Sequence, residues 1–240
     1  VPAPLISAAS ASDSKSVALS TQQQIADYSG HWAQKDFQSW VDKGLILGYG
    51  NGIYKPNQEI NRAEWVTLVN RVFNLQEKAE IGFTDVSTIG TYYSDIQKAT
   101  AAGYVTGYSD GTFRPAQQVS RQEAAVMLYR LFQLNSSVGT SAPKDAADLP
   151  EWSQEAVLSL LGEGYLQGYT DGSFKGTQAV TRAEALRMIE KLGGEITPKS
   201  GSYSGINTRN MVISSPGVEL KNSTISGNLY LTEGIAEGDI

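Results

Sequence analysis

Three stretches of this chain are one stretch written three times, and a chain built that way folds as a repeat. "NRAE" at 61–64 returns as "SRQE" at 120–123 and "TRAE" at 181–184. Their arginines, Arg62, Arg121 and Arg182, stand 59 and 61 positions apart. Upstream, "GYGNG" at 48–52 returns as "GYSDG" at 107–111 and "GYTDG" at 168–172, at the same two spacings. Two landmarks in register make three copies of one unit. Asp27, Asp85 and Asp148 are read as the unit starts.

Each unit has a local reading. A first helix follows the aspartate; in unit one it is "WAQKDFQSWVDKG", with Phe37, Trp40 and Val41 as its apolar stripe. Gly44, Gly103 and Gly164 fall where a helix closes on a left-handed residue. Asn51-Gly52, Asp110-Gly111 and Asp171-Gly172 predict type I′ turns. The returning piece carries an aromatic and a cation: Tyr54-Lys55, Phe113-Arg114, Phe174-Lys175. A second helix then opens on a capping box, pairing Asn61 with Glu64, Ser120 with Glu123 and Thr181 with Glu184.

A unit of this size only just buries a core alone, so three units are expected to pack their apolar helix faces together. Three is few enough to close into a pseudo-threefold bundle. The expected division is a flexible lead-in over 1–24, repeats over 25–80, 81–143 and 144–197, and a β-rich region over 198–240. The lead-in, rich in small residues and serine, reads as a mature N-terminus left by signal cleavage or as a fragment boundary. Met211–Ile213, Val218–Leu220 and Leu229–Leu231 are short β-type runs separated by turn residues. They read as the first rungs of a β-solenoid, expected to continue past Ile240.

Composition removes several function classes. A net charge of −6 argues against broad binding to nucleic acid or to an anionic membrane face. There is no cysteine, and the one histidine, His31, belongs to one unit only. No Ser-His-Asp set, metal-ligand spacing or phosphate loop is present, and each "GYxDG" loop offers a single carboxylate where a calcium loop needs several. No enzyme activity, metal or cofactor is expected. No apolar run reaches 18 residues, so no membrane-inserted helix is expected.

The arginines are the odd feature. A helix N-terminus carries partial positive charge, and a cation there costs about 0.3–1 kcal/mol when exposed. Two uses would justify it. With the cap consuming one N–H and others left free, the arginine completes a donor cluster for a carboxylate or phosphate. Alternatively, each arginine forms a salt bridge to an acid of a neighbouring unit. Tyr49, Tyr108 and Tyr169 sit beside Gly48, Gly107 and Gly168, where a ligand could approach the backbone. Trp32 and Trp152 stand ahead of the first helix at matched points, and unit two has Tyr92-Tyr93 there. Aromatic faces, backbone donors and a cation together suit a sugar that bears an acid.

Three such units, each with "GYxDG", an aromatic-cation pair and a helix opening like "TRAE", resemble the S-layer homology domain. "GYTDGSFKGTQAVTRAEALRMI" is a close match, and the resemblance covers about residues 25–195. It implies a mainly α fold: three repeats closed into a pseudo-threefold, three-pronged spindle around a central three-helix bundle. It also implies a secreted protein anchored non-covalently to the cell wall or S-layer of a Gram-positive bacterium. The implied ligand is a secondary cell wall polysaccharide bearing pyruvylated N-acetylmannosamine, held in grooves that mix residues of two units. Arg62, Arg121 and Arg182 are the implied primary contacts. Secondary contacts carry over to Asp27, Trp32, Gly48, Tyr49, Asp85, Tyr93, Gly107, Tyr108, Asp148, Trp152, Gly168 and Tyr169. The caps Asn61, Glu64, Ser120, Glu123, Thr181 and Glu184 would support the site. Unit two, lacking the tryptophan, would have the least typical groove. The competing reading is a structural or S-layer assembly module that contacts other protein copies, with the arginines as internal salt bridges.

Overall fold

The computed structural model describes residues 26–135 and 142–235. The expected lead-in over 1–24 lies outside the described residues. Six helices lead the element order: α1 (Gln34–Lys43), α2 (Arg62–Val72), α3 (Tyr93–Ala101), α4 (Arg121–Leu131), α5 (Glu151–Gly162) and α6 (Arg182–Gly193). Seven short strands follow among the described residues: β1 (Glu195–Thr197), β2 (Gly201–Ser204), β3 (Asn207–Thr208), β4 (Met211–Ile213), β5 (Val218–Lys221), β6 (Thr224–Ile225) and β7 (Leu229–Leu231). Gly44 closes α1 at φ 74°, and Gly103 and Gly164 take up φ 73° and 74° beyond α3 and α5, the left-handed values their positions predict.

Helix amphipathicity sorts the six into two layers. α2, α4 and α6 are buried on most faces: Trp65, Val66, Leu68, Val69 and Val72 of α2 are all in the core, as are Ala124, Ala125 and Leu128 of α4 and Ala185, Leu186 and Ile189 of α6. Helices apolar nearly all round belong at the centre. α1 buries only Phe37 and Trp40, and α3 only Ile96 and Ala99, so these lie outside. Each outer helix packs against the inner helix of the neighbouring unit: α3 on α2, α5 on α4, and α1 on α6. Polar contacts follow the same pairing. Asp95 accepts from Thr67 and Asn70, and Asp36 accepts from Arg187 at 2.6 Å.

The chain between each hairpin and its inner helix crosses the centre. Ile60 N–H donates to the Val180 carbonyl, Val180 N–H to Val119, and Val119 N–H back to Ile60, at 2.8–3.0 Å. All three side chains are fully buried. Three residues from three repeats thus satisfy one another in a closed ring, so no one unit carries a complete hydrogen-bonding set of its own.

The strands climb three parallel ladders, β1-β4-β7, β2-β5 and β3-β6. Glu195 pairs with Met211, Gly201 with Val218 and Asn207 with Thr224. A near-constant offset of this kind is a coil of parallel rungs. It begins at Glu195, inside the stretch assigned above to the third repeat. The coil is bonded to the helices. Asn210 Nδ2 donates to Tyr165 Oη (3.0 Å) and the Leu192 carbonyl (2.7 Å), and Tyr230 packs edge-on against Phe132 with centroids 4.7 Å apart.

Candidate functional site

The inner helices do open on capping boxes at Asn61, Ser120 and Thr181, each closed by the glutamate three residues on. Their remaining first-turn donors are not free, however. Arg62 N–H donates to Gln117 and Ala63 N–H to Pro115. Arg121 and Gln122 donate to Gln178 and Gly176, and Arg182 and Ala183 to Gln58 and Pro56. The loop of the next repeat therefore consumes what an anion would have used. The expectation of free N–H groups at these helix ends is wrong, because a buried helix end must be satisfied within the protein.

The arginine side chains follow the same path into the next repeat. Arg62 Nε donates to the Phe113 carbonyl, Arg121 Nε to Phe174 and Arg182 Nε to Tyr54, all at 2.8–2.9 Å. Each guanidinium lies 4.8–5.0 Å from the ring of the "GYxDG" tyrosine: Arg62 at Tyr108, Arg121 at Tyr169, Arg182 at Tyr49. Two also meet the capping glutamate of that repeat, Arg62 with Glu123 at 3.3 Å and Arg121 with Glu184 at 3.7 Å. All three arginines are buried, with at most 7% of their surface exposed. Such charges are tolerated because carbonyl, ring and carboxylate replace water.

The tyrosines complete the network unevenly. Tyr108 Oη donates to Glu123 at 2.5 Å and Tyr49 Oη to Glu64 at 3.2 Å. Burial, then the bond to Glu123, pushes Tyr108 up to about 12. The Tyr169 hydroxyl is buried and has no hydrogen-bond partner among the described residues. Each tyrosine ring also carries the hairpin cation: Lys55 over Tyr49 at 4.4 Å, Arg114 over Tyr108 at 3.9 Å, Lys175 over Tyr169 at 4.3 Å.

All three repeats, not two, contribute to a groove. Around Arg62 the walls are Gly107, Tyr108, Glu123 and Met127 of unit two and Trp152 of unit three, enclosing about 450 Å³. Around Arg121 they are Gln167, Glu184 and Met188 of unit three and Trp32 of unit one, enclosing about 160 Å³. Both tryptophans are more than half exposed. In the Arg182 neighbourhood, Tyr49 feels Glu64 of its own unit and Tyr92 of unit two. Tyr92 is exposed, whereas Tyr93 opens α3 half-buried. The groove around Arg62, which holds unit two's own loop, is larger than the one around Arg121.

The aspartates and glycines have structural duties. Asp27 accepts from the N–H groups of Tyr54 and Lys55, and Asp85 from Phe113 and Arg114. In unit three that role belongs to Asp145, which accepts from Phe174 and Lys175 at 2.7 and 2.8 Å. Asp148 sits exposed in a short 3-10 turn, so it is not the unit-start residue. Spacing to the returning aromatic does not choose between the two: Tyr54 and Phe113 lie 27 and 28 residues after Asp27 and Asp85, while Phe174 lies 29 after Asp145 and 26 after Asp148. The clamp is needed because Lys55, Arg114 and Lys175 hold φ of 53–59°, where side chains are disfavoured. A Cβ on Gly48 would sit 2.7 Å from the Ile53 carbonyl, so this glycine admits the returning chain rather than a ligand. Gly168 has the same limit, 2.8 Å from the Ser173 carbonyl. The turns differ too: Asn51 and Gly52 both have positive φ, but Asp110 and Asp171 do not. Those two carboxylates instead accept from Thr112 and Ser173. Only unit one makes the predicted type I′ turn.

The S-layer homology domain family matches residues 24–64, 82–125 and 144–186, more than half of the chain. This chain belongs to the S-layer homology family. The matched spans of this S-layer homology protein each end at or just past an "RAE" or "RQE", within the inner helix. It is 32% identical over 165 residues to S-layer protein EA1 of Bacillus anthracis, covering 67% of this chain and 19% of that protein. It is 29% identical over 154 residues to the Surface-layer 125 kDa protein of Lysinibacillus sphaericus, covering 63% and 13%. It is 28% identical over 155 residues to the Cellulosome-anchoring protein of Acetivibrio thermocellus, covering 61% and 35%. The chain thus spans at most 35% of the length of these relatives. No helix among the described residues is long and apolar enough to cross a membrane, and no three His, Cys, Asp or Glu residues among them cluster as a metal site would need.

Proposed function

We propose that this chain is a cell-wall anchoring module of a bacterial surface protein, without catalysis of its own. It holds a pyruvylated N-acetylmannosamine of the secondary wall polysaccharide in grooves between repeats. The observation that carries this reading is the groove around Arg62. It brings a cation, two aromatic faces and a carboxylate from three repeats around about 450 Å³, within the range that small-ligand pockets occupy. The Arg121 groove is smaller than that range, so occupancy is expected first at Arg62. We read the closed ring of Ile60, Val119 and Val180 as the centre of a pseudo-threefold spindle. The repeats divide near residues 80, 143 and 197. Names such as S-layer protein and cellulosome-anchoring protein among the relatives support a place at the Gram-positive cell wall.

Calorimetry tests the ligand. Pyruvylated N-acetylmannosamine should bind, and the sugar without the ketal should bind at least tenfold more weakly, since a charge-assisted contact is worth about 1.5–3 kcal/mol. Equal binding of both would sink the carboxylate mechanism. The second reading, an assembly module, is favoured by one observation: Arg62 and Arg121 already form inter-repeat ion pairs. Sedimentation of the protein alone separates the two, because an assembly module self-associates without glycan.

A further inference from the structure

The hairpin tip of unit one differs from its two sisters in a way that bears on covalent chemistry. Asn51-Gly52 is the one Asn-Gly step in the chain, and units two and three have Asp110-Gly111 and Asp171-Gly172 there. Asn51 is exposed, and its side chain has no partner among the described residues. It sits at φ 51°, between Gly50 at 91° and Gly52 at 69°, in a turn closed by Ile53 N–H on the Gly50 carbonyl at 3.0 Å. The Gly111 and Gly172 N–H groups donate to the carbonyls of Tyr108 and Tyr169, at 3.0 and 2.9 Å. The Gly52 N–H makes no hydrogen bond among the described residues. The tip therefore sets an unbonded carboxamide beside an unbonded main-chain nitrogen. No side chain on residue 52 crowds the approach, and a glycine on either side lets the turn rotate. Asn222 is also exposed and left-handed, at φ 48°, but the next residue is Ser223, whose Cβ stands in the way.

We propose that Asn51 is a modification site, where the folded chain deamidates without an enzyme. The Gly52 nitrogen attacks Asn51 Cγ and gives its proton to water. The new C–N bond closes a succinimide ring, and the carboxamide nitrogen leaves as ammonia. Water then opens the ring: addition at the side-chain carbonyl gives aspartate, and addition at the main-chain carbonyl gives isoaspartate. The sum is amide plus water to acid plus ammonia, with no change of oxidation state. The aspartyl product makes the tip read "GYGDG", the pattern of its sisters. There Asp110 accepts from Thr112 N–H and pairs with Arg114 at 2.8 Å, and Asp171 accepts from Ser173 N–H and pairs with Lys175 at 3.4 Å. Ile53 and Lys55 stand at the equivalent positions, and Lys55 has no carboxylate within 4 Å among the described residues. The fold thus has a place for the new charge, and unit one converts to the chemistry of units two and three.

Peptide mapping by mass spectrometry tests this on the full chain, held in mildly alkaline buffer with and without urea. The peptide carrying position 51 should gain the mass of an amide-to-acid change before the peptide carrying Asn222, with an acidic shift in isoelectric focusing. An exposed tip opens at little cost, so the folded chain should convert within about tenfold of its rate in urea. Asn51→Gln should stay unconverted, because the longer side chain closes its ring slowly. Asn51→Asp should keep or raise the parent's urea midpoint, and a lowered midpoint would overturn the claim that the fold accommodates the aspartyl product. Conversion at Asn222 first, or a folded chain slower than that margin, would overturn the site itself.

Discussion

Arg62 Nη1 lies 3.3 Å from Glu123 Oε1, so the arginine that opens one inner helix is ion-paired to the glutamate that caps the next. Only 7% and 13% of the two side chains are exposed. Breaking a pair this buried leaves a charge without water or partner, at a cost of about 3–5 kcal/mol. Arg62→Ala should therefore lower the urea midpoint more than Arg182→Ala, whose arginine has no carboxylate within 4 Å among the described residues. Equal losses would show that the carbonyl bonds made by Nε, common to both, carry the effect.

Asp145 and Asp148 are three residues apart and should behave oppositely. Asp145→Ala removes two hydrogen bonds to a backbone held at positive φ, and should cost about 2 kcal/mol or more. Asp148→Ala touches an exposed side chain and should stay within about 0.5 kcal/mol. Chemical denaturation of both variants decides it, and a larger loss at Asp148 would return the unit start to its sequence-based position.

Acid should loosen the hairpins late. Hydrogen bonds from Thr112, then Arg114, pull Asp110 down to about 2, and those from Ser173 do the same for Asp171. Burial pushes Asp145 up, but the N–H groups of Phe174 and Lys175 outweigh it and its carboxyl lies below the usual value. A folded pKa below the unfolded value of about 3.9 gives stability that is complete above that value and lost as pH falls through the folded one. An Asp110→Asn/Asp171→Asn variant should thus lose less stability than the parent between about pH 4 and about pH 2. Parallel pH profiles, read from urea midpoints, would refute it.

The β coil should fold with the helices rather than as a separate body. Asn210 is 1% exposed; its Nδ2 serves Tyr165 and Leu192 and its Oδ1 accepts from Asn228. Asn210→Ala orphans the buried groups it serves and should cost about 2–4 kcal/mol. Limited proteolysis should then cut near residues 194–210 first. Unchanged protection would mean that Tyr230 against Phe132, and the Gln76 and Glu77 contacts to Glu233, suffice to hold the coil.

The repeat register, the helix closures at Gly44, Gly103 and Gly164, and the capping boxes were legible because each is local: i to i+3 bonds and left-handed glycines depend on a few adjacent residues. The destination of the arginines was not. Nothing in "NRAE" says that Arg62 will bond Phe113, that Gln117 will take its N–H, or that Trp152 from a third repeat will wall the groove. Those contacts exist because three buried helix ends must satisfy their polar groups, and the only partners near enough belong to other repeats. The role of Asp145 was hidden for the same reason: a unit start is defined by a hydrogen bond to the backbone 29 residues on, which linear order does not display. Sequence by itself determined the unit, its three copies and its local caps. Only tertiary closure decided which residues share a groove, because burial forces polar groups to find partners across the fold rather than along the chain.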